Sequence, residues 1–357
     1  MTGPEAAADE PSPPARTAGG KPPTMAEIAA HLGVSRQLVS AAMRGAPGAS
    51  KENRERVRQA ALELGFVPNL AARELRASKG RQVGVVFNPA HSTEADIIEG
   101  VYAEARERGL GVVLSAVTEH RSPRDAFREL IAHRCVAVAV IGSDLPRADL
   151  AELAGQVPVP VVGVGYGRRD AAFSVVRSAG DTGIALTVEH LVGLGHTEIA
   201  YLDAAGPAPA AIRLAGYRRA VKKHGLVEDV LGDLTHLGLP TYPEEVGSSV
   251  ARQLLARPSL PTAVVGSNDH AAAALVWALS RRGVRVPEDV SVTGYDDSPL
   301  ARVSANDLTT VNQRPQDMGR AVVRSSLAAI ESPTAPPEPV VVDVELVVRS
   351  STAAPRA

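Results

Sequence analysis

The hydrophobic pattern of the chain changes period once. Between residues 22 and 64 the apolar positions recur at helical spacing in three short segments. Thr24-Met-Ala-Glu27 has the form of a capping box, in which a hydroxyl and a carboxylate satisfy free N–H groups at a helix start. Ile28 and Leu32 follow at i, i+4, and Gly33 stops that helix. Ser35 caps a second helix with Leu38, Val39 and Met43 turned inward, Gly45-Ala-Pro-Gly48 is a loop, and Ser50 caps a third helix. The apolar face of that third helix is Val57, Ala61 and Leu64, and Gly65 ends it. From Val83 onward, short apolar runs alternate with helical stretches. Strands are predicted at 83–87, 111–116, 136–141 and 159–164, with helices at 94–108 and 123–133 between the first three. A second series follows: helix 181–194, strand 198–202, helix 213–224, strand near 230–234, helix 243–256, strand 262–266, helix 269–282 and strand 290–294. Such alternation predicts parallel sheets covered by helices on both faces. Two series predict two similar lobes, and the carboxyl ends of their strands, where ligands bind in open parallel sheets, would surround a shared cleft.

The pattern divides the chain into a disordered tail at 1–21, rich in Pro, Ala, Gly and Ser, a helical module at 22–66, a connector at 67–81, a two-lobed domain at 82–352 and a short tail at 353–357. In the connector Pro68 breaks the chain, and Leu70 to Leu75 can make little more than one helical turn. An isolated helix of that length is unstable in water, so it should order only when something packs on it. Apolar residues make up 45% of the chain and aromatics only 3%, which predicts an aliphatic core and few stacking platforms. The single cysteine, Cys135, excludes an internal disulfide and any Cys-based zinc site, and its place before the apolar run 136–141 predicts a buried, inert thiol. No apolar stretch has membrane-spanning length, and no basic segment followed by an apolar one opens the chain. The cytoplasm is the expected compartment, without a membrane partner.

The net charge of −2 conceals an asymmetry: residues 21–81 carry +6 and the rest of the chain is acidic. A basic head on an acidic body suits a polyanion partner for the head alone. The segment Ala26 to Leu32, the Gly33-Val34 bend and Ser35 to Met43 have the length of a helix-turn-helix. The start of its second helix would enter a major groove, where Arg36 matches guanine O6/N7 and Gln37 adenine N6/N7 through paired hydrogen bonds. Ser35, Ser40 and Arg44 are placed to hold phosphates and set the docking angle.

Residues 22–81 resemble the headpiece of the lactose-repressor (LacI/GalR) family. The resemblance lies in Met25-Ala-Glu-Ile-Ala-Ala-His-Leu-Gly-Val-Ser35, Val39-Ser40, Arg54-Glu-Arg-Val57, Leu64-Gly-Phe-Val-Pro-Asn69 and Ala72-Arg-Glu-Leu75, and it continues to about residue 352. It implies an all-α helix-turn-helix headpiece joined to an α/β, two-lobed domain like the periplasmic binding proteins. It also implies that Asn69–Arg76 folds as a hinge helix in the minor groove. There Leu75 wedges between base steps, aided by the small Ala72, which is the general minor-groove wedge. Two hinges must lie side by side, so a homodimer on a near-palindromic DNA operator is implied. Leu38, Ala41 and Asn53 depart from the family pattern at DNA-facing positions, which weights base reading on Arg36 and Gln37 and implies an unusual operator.

In the second lobe, Arg213-Leu-Ala-Gly-Tyr217, Ser267-Asn268-Asp269 and Gly294-Tyr-Asp-Asp297 resemble the family's effector-contacting stretches. Arg213, Asn268 and Asp296 are thereby the candidate effector ligands, a set of donors and acceptors that suits a polyol or sugar. Asn268 has a structural alternative as the cap of the next helix, and Asp296 as a turn residue. The first lobe departs from the family at Asn88-Pro-Ala-His91, Gly165-Tyr166 and Ala179-Gly180, which argues against a typical sugar effector.

No catalytic cluster, dinucleotide loop or Walker lysine is present, so an enzyme is not expected, and no cofactor or metal is implied. His190 and His196 flank a corner and are expected to be structural, and Trp277 is expected to pack. The expected function is sequence-specific transcription regulation, with repression the leading form, modulated by a small molecule between the lobes. Induction and corepression both fit. A two-lobed solute-binding protein, an enzyme on the same scaffold and a regulator without a small-molecule response are the rivals. No heptad repeat follows Arg349, so a dimer without a tetramerising helix is expected.

Overall fold

A computed structural model describes residues 23–44, 46–66, 81–142, 145–167, 169–204, 207–232, 242–332 and 338–356. Two compact units divide the chain between Ser78 and Lys79. In the first, α1 (Met25–Leu32), α2 (Arg36–Arg44) and α3 (Lys51–Glu63) pack around Ile28, Ala29, Val39, Val57, Ala60 and Ala61. The capping box forms as its residues predict, with the Glu27 N–H on Thr24 Oγ1 and the Thr24 N–H on Glu27 Oε2. Gly33 closes α1 at φ 64°, a left-handed conformation that glycine adopts without strain.

The second unit holds two lobes. The first has a six-stranded sheet, all parallel, in the order β11-β5-β4-β3-β1-β2. Its strands are β1 (Gln82–Phe87), β2 (Gly111–Ala116), β3 (Ala137–Ile141), β4 (Val161–Val164), β5 (Ser174–Ser178) and β11 (Val340–Val342). One face is covered by α5 (Pro123–Ala132) and α6 (Arg147–Gly155), through Phe127, Leu130, Leu150 and Leu153. The other is covered by α4 (Ser92–Glu107) and α12 (Pro315–Glu331), through Ile97, Val101, Met318 and Val322. These two helices approach so closely that a Cβ on Gly100 would overlap the Gln316 carbonyl oxygen, and one on Gly319 that of Ile97. Buried Glu104 stitches the same pair, accepting from Arg324 at 2.9 Å, Arg108 at 3.1 Å and Arg320 at 3.3 Å.

The second lobe has four parallel strands in the order β7-β6-β8-β9: β6 (Ile199–Leu202), β7 (Val230–Leu231), β8 (Ala263–Gly266) and β9 (Ser291–Thr293). Helices α7 (Gly180–Gly193) and α8 (Pro207–His224) cover one face, and α9 (Pro243–Leu255) and α10 (Asp269–Ser280) the other. The short α11 (Pro299–Arg302) and an antiparallel pair, β10 (Thr310–Asn312) with β12 (Glu345–Val347), complete it.

The lobes are not consecutive stretches, as the two series had implied. The chain leaves the first lobe after Ser178, returns to it after Asn312 to add α12 and β11, and crosses again between Val342 and Glu345. α6, β5, α12, β11 and the β10–β12 pair were not among the predicted elements. Strand 230–234 is seen as Val230–Leu231, with 233–241 outside the described residues.

The tail expected from residue 353 is instead sewn to the second lobe. The Val292 N–H donates to Ser351 O at 2.9 Å, His196 Nε2 lies 2.8 Å from Ala353 O, and Arg356 pairs with Asp289 at 2.6 Å. His190 and His196 are structural, as expected: His190 Nε2 meets Thr352 Oγ1 at 3.0 Å, and His196 Nδ1 meets Thr262 Oγ1 at 3.0 Å. Cys135 is buried and forms no disulfide. Trp277, expected to pack, is 46% exposed on the outer face of α10 and donates from Nε1 to Asn306 Oδ1 at 2.8 Å. The buried face of that helix is already filled by Ala271–Ala274, Leu275, Val276 and Leu279.

Candidate nucleic-acid interface and ligand cleft

Ser35 fixes the start of α2 by accepting the Leu38 N–H at 3.2 Å, which leaves Arg36 and Gln37 as the first two residues of the helix. Both are exposed, and neither side chain makes a hydrogen bond or ion pair among the described residues. Ser40 and Ala41 follow half-buried on the same helix, and Arg44 ends it. Asn53 is half-buried in the first turn of α3, its N–H held by Ser50 Oγ at 3.2 Å. A helix start with free donors and acceptors is the geometry that reads base edges in a major groove. Asn69, Ala72 and Leu75 lie outside the described residues.

In the second lobe, two of the three candidate effector ligands are brought together. Arg213 projects from α8 and donates to the Ser267 carbonyl at the end of β8 at 2.5 Å and to Asp296 Oδ1 at 3.4 Å. Its guanidinium lies over the Tyr295 ring, 3.8 Å from the centroid. Asp296 follows β9 with φ 119°, a backbone region that non-glycine residues avoid, held there by its own N–H on Val311 O at 2.9 Å and by the Asp269 N–H on Tyr295 O at 2.9 Å. Oδ1 of Asp296 also accepts from Gln313 Nε2 at 2.5 Å, and no described residue bonds Oδ2. Burial pushes the Asp296 carboxyl above its usual range, against the opposing pull of Arg213, His270 and His91. His91 belongs to the first lobe, just beyond the end of β1, so the strand ends of both lobes converge here.

Asn268 behaves as the helix cap that its position allows. Its Oδ1 accepts the Ala271 N–H at 2.8 Å and its Nδ2 donates to Ala204 O at 3.0 Å, which leaves one amide hydrogen for any other partner. Asp269 is structural and buried, accepting from Thr310 Oγ1 at 2.6 Å and from the Ser298 N–H at 2.7 Å. Burial and the neighbouring Asp296 charge push its carboxyl up to about 7. Asp297, the second carboxylate of its pair, is anchored by Arg349 at 2.6 Å, Asn312 at 2.9 Å and Arg302 at 3.1 Å, and faces into the lobe rather than toward a ligand.

Two cleft residues escaped the sequence reading. Gln313 and Ser178 are joined through Gln313 Oε1 and the Ser178 hydroxyl at 2.7 Å. His270, whose charge acts on Asp296, pairs with Glu244 of α9 at 2.6 Å. On the first-lobe side, His91 Nδ1 meets buried Glu94 at 2.8 Å, and Glu94 also accepts the Asn88 N–H at 2.7 Å. Tyr166 turns away, buried against Phe173, with its hydroxyl on Leu145 O at 2.7 Å. Among the described residues no group of three or more His, Cys, Asp or Glu could hold a metal, and no helix is long and apolar enough to cross a membrane.

Comparison with known proteins agrees with both halves of this geometry. Residues 24–69 match the bacterial regulatory proteins of the lacI family, and residues 188–352 match a periplasmic binding protein-like domain. The transcriptional regulator MalR of Streptomyces coelicolor is 34% identical over 92% of this chain and 96% of its own. The structure of a lac repressor dimer bound to operator and the anti-inducer ONPF superposes with a TM-score of 0.74 at 28% identity, covering 94% of this chain and all of that one. A complex of the regulator CelR with cellobiose gives 0.64 at 30% identity, covering 92% and 99%. With the three-helix head and the two lobes both matched, and with relatives aligned over nearly their whole length, the chain belongs to the lacI family of bacterial regulatory proteins, which are DNA-binding transcriptional regulators.

Proposed function

We propose that this regulator binds a near-palindromic operator as a homodimer, and that a small polar molecule held between its lobes changes that affinity. Arg36 and Gln37 read base edges, while Ser35, Ser40, Arg44 and Asn53 position α2 on the phosphates and Ala41 leaves room beside them. Asn69, Ala72 and Leu75 act in the minor groove between the two heads, with Leu75 as the wedge. Arg213 and Asp296 hold the effector, Asn268 contributes its remaining amide hydrogen, and the protein works by binding rather than catalysis, in the cytoplasm. Repression is the leading form. The observation that supports this reading best is the Arg213–Asp296 pair at 3.4 Å, a rigid fork beside a carboxylate whose second oxygen has no described partner. That arrangement offers both donors and acceptors to a polyhydroxylated or otherwise polar ligand. The relatives whose solved complexes contain cellobiose or an anti-inducer make a ligand in this cleft the natural expectation.

A second reading, a regulator without a small-molecule response, draws on Tyr166. The position where the family resemblance places a polar pair is occupied here by Gly165 and an inward-packed tyrosine. Selection of genomic DNA fragments by the purified protein at two salt concentrations tests the main reading. A near-palindromic site with a flexible central step supports it, and the genes beside that site define the small molecules to titrate. Binding that is sequence-blind and vanishes with salt overturns it.

A further inference from the structure

The chain passes between the lobes three times, and two of the crossings are tied by one side chain. Ser178 is the last residue of β5, immediately before the first crossing. Gln313 stands between β10 and α12, on the second. The Ser178 hydroxyl donates to Gln313 Oε1 at 2.7 Å, and Gln313 Nε2 donates to Asp296 Oδ1 at 2.5 Å. Ser178 Oγ also lies 3.3 Å from the hydroxyl of Tyr295, the ring that carries Arg213. The third crossing joins the same knot through the Ala179 N–H, which donates to Val342 O at 2.9 Å. Gln313 is 8% exposed, so its amide has little freedom to turn elsewhere. The amide can satisfy a carboxylate only with its N–H end, which fixes its carbonyl end toward Ser178.

We propose that Ser178, Gln313 and Asp296 form a clasp that makes the ligand-facing carboxylate and the inter-lobe crossings a single mechanical unit, with Gln313 and Ser178 as positioning residues. A ligand donor that draws Asp296 Oδ1 away from Gln313 also loosens Gln313 from Ser178, and both crossings are then free to turn. This rests on Asp296 facing the ligand, as argued above, but the clasp itself is measurable with no ligand added. Its failure and the failure of the ligand reading are therefore separable.

The test is backbone hydrogen exchange on the full-length protein, read at Ala179 on the first crossing and at Arg314 on the second. Ser178→Ala, Gln313→Met and Asp296→Asn should each speed exchange at both crossings by roughly tenfold or more, the scale for losing a hydrogen bond to a charged group. The Ser178→Ala/Asp296→Asn double variant should add little to either single one, and Ser178→Thr, which keeps the hydroxyl, should exchange like the parent. If Asp296→Asn fails to fold, Ser178→Ala and Gln313→Met supply the same comparison. Exchange that rises only at the crossing nearest each substitution, or effects that add in the double variant, overturns the proposal.

Discussion

The guanidinium of Arg213 and the ring of Tyr295 are stacked 3.8 Å apart, the cation above the ring face rather than at its edge. A cation–π contact of this kind contributes about 0.5–2 kcal/mol. Its larger effect is to hold the fork in one plane while its nitrogens reach the Ser267 carbonyl and Asp296. Lysine keeps the charge and loses the plane. Arg213→Lys is therefore expected to weaken binding of the small molecule by roughly 10- to 100-fold, with operator affinity unchanged in its absence. Calorimetric titration beside a DNA-binding assay checks both halves.

Arg36 and Gln37 should divide the work of base reading. Replacing either by alanine is expected to cost about 1–3 kcal/mol on the best operator and to relax preference at one position in each half-site. Neutralising a phosphate contact would instead weaken all sequences alike and flatten the salt dependence. Binding to every single-base variant of the selected operator, at two salt concentrations, separates the two outcomes.

Leu75→Ala should weaken operator binding strongly and leave effector binding intact, because a minor-groove wedge contributes only on DNA. Equal operator affinity for parent and variant would remove the wedge from the mechanism.

Glu104 provides a pH-dependent stitch in the first lobe. Its hydrogen bond to Arg324 outweighs the penalty of burial and, with help from Arg108 and Arg320, holds the carboxyl at about 2 in the folded protein. A depressed acid of this kind contributes its full stabilisation above its unfolded value near 4.5 and loses it progressively as the pH falls toward 2. Glu104→Gln leaves three guanidinium groups without their shared counter-charge. They are partly exposed, so the expected loss is about 1–3 kcal/mol at neutral pH. Urea denaturation at pH 6 and pH 3 should show the gap between parent and variant narrowing at the lower value.

Much of the fold was legible because its core segments are long and periodic. β2 was read to the residue, and α10, read as 269–282, is observed as Asp269–Ser280. α6 escaped because its short stretch offers only Leu150, Leu153 and Ala154 as buried positions. β5 escaped because Arg177 and Ser178 break its apolar run. The weave of the lobes was illegible for a different reason: hydrophobic period marks a residue as inward but not which sheet it joins. At the site, Arg213 and Asp296 were readable from motif stretches. Gln313 and Ser178 were not, because each owes its place to a crossing that only the tertiary structure reveals. The two readings of Asn268 could not be separated in sequence, since a cap and a ligand both want an amide at a helix start.

The three crossings also bear on how the protein is made. The first-lobe sheet is not complete until Val342 has left the ribosome, and the second lobe waits for Ser351 and Ala353 to close against β9. At about 5–20 residues per second, β1 to β5 stand for on the order of ten seconds without their last strand and covering helix. The three-helix head has all of its own core residues long before that. A nascent chain of this regulator therefore completes the core of its reader first and its sensor only at the end, because neither lobe is one continuous stretch of chain.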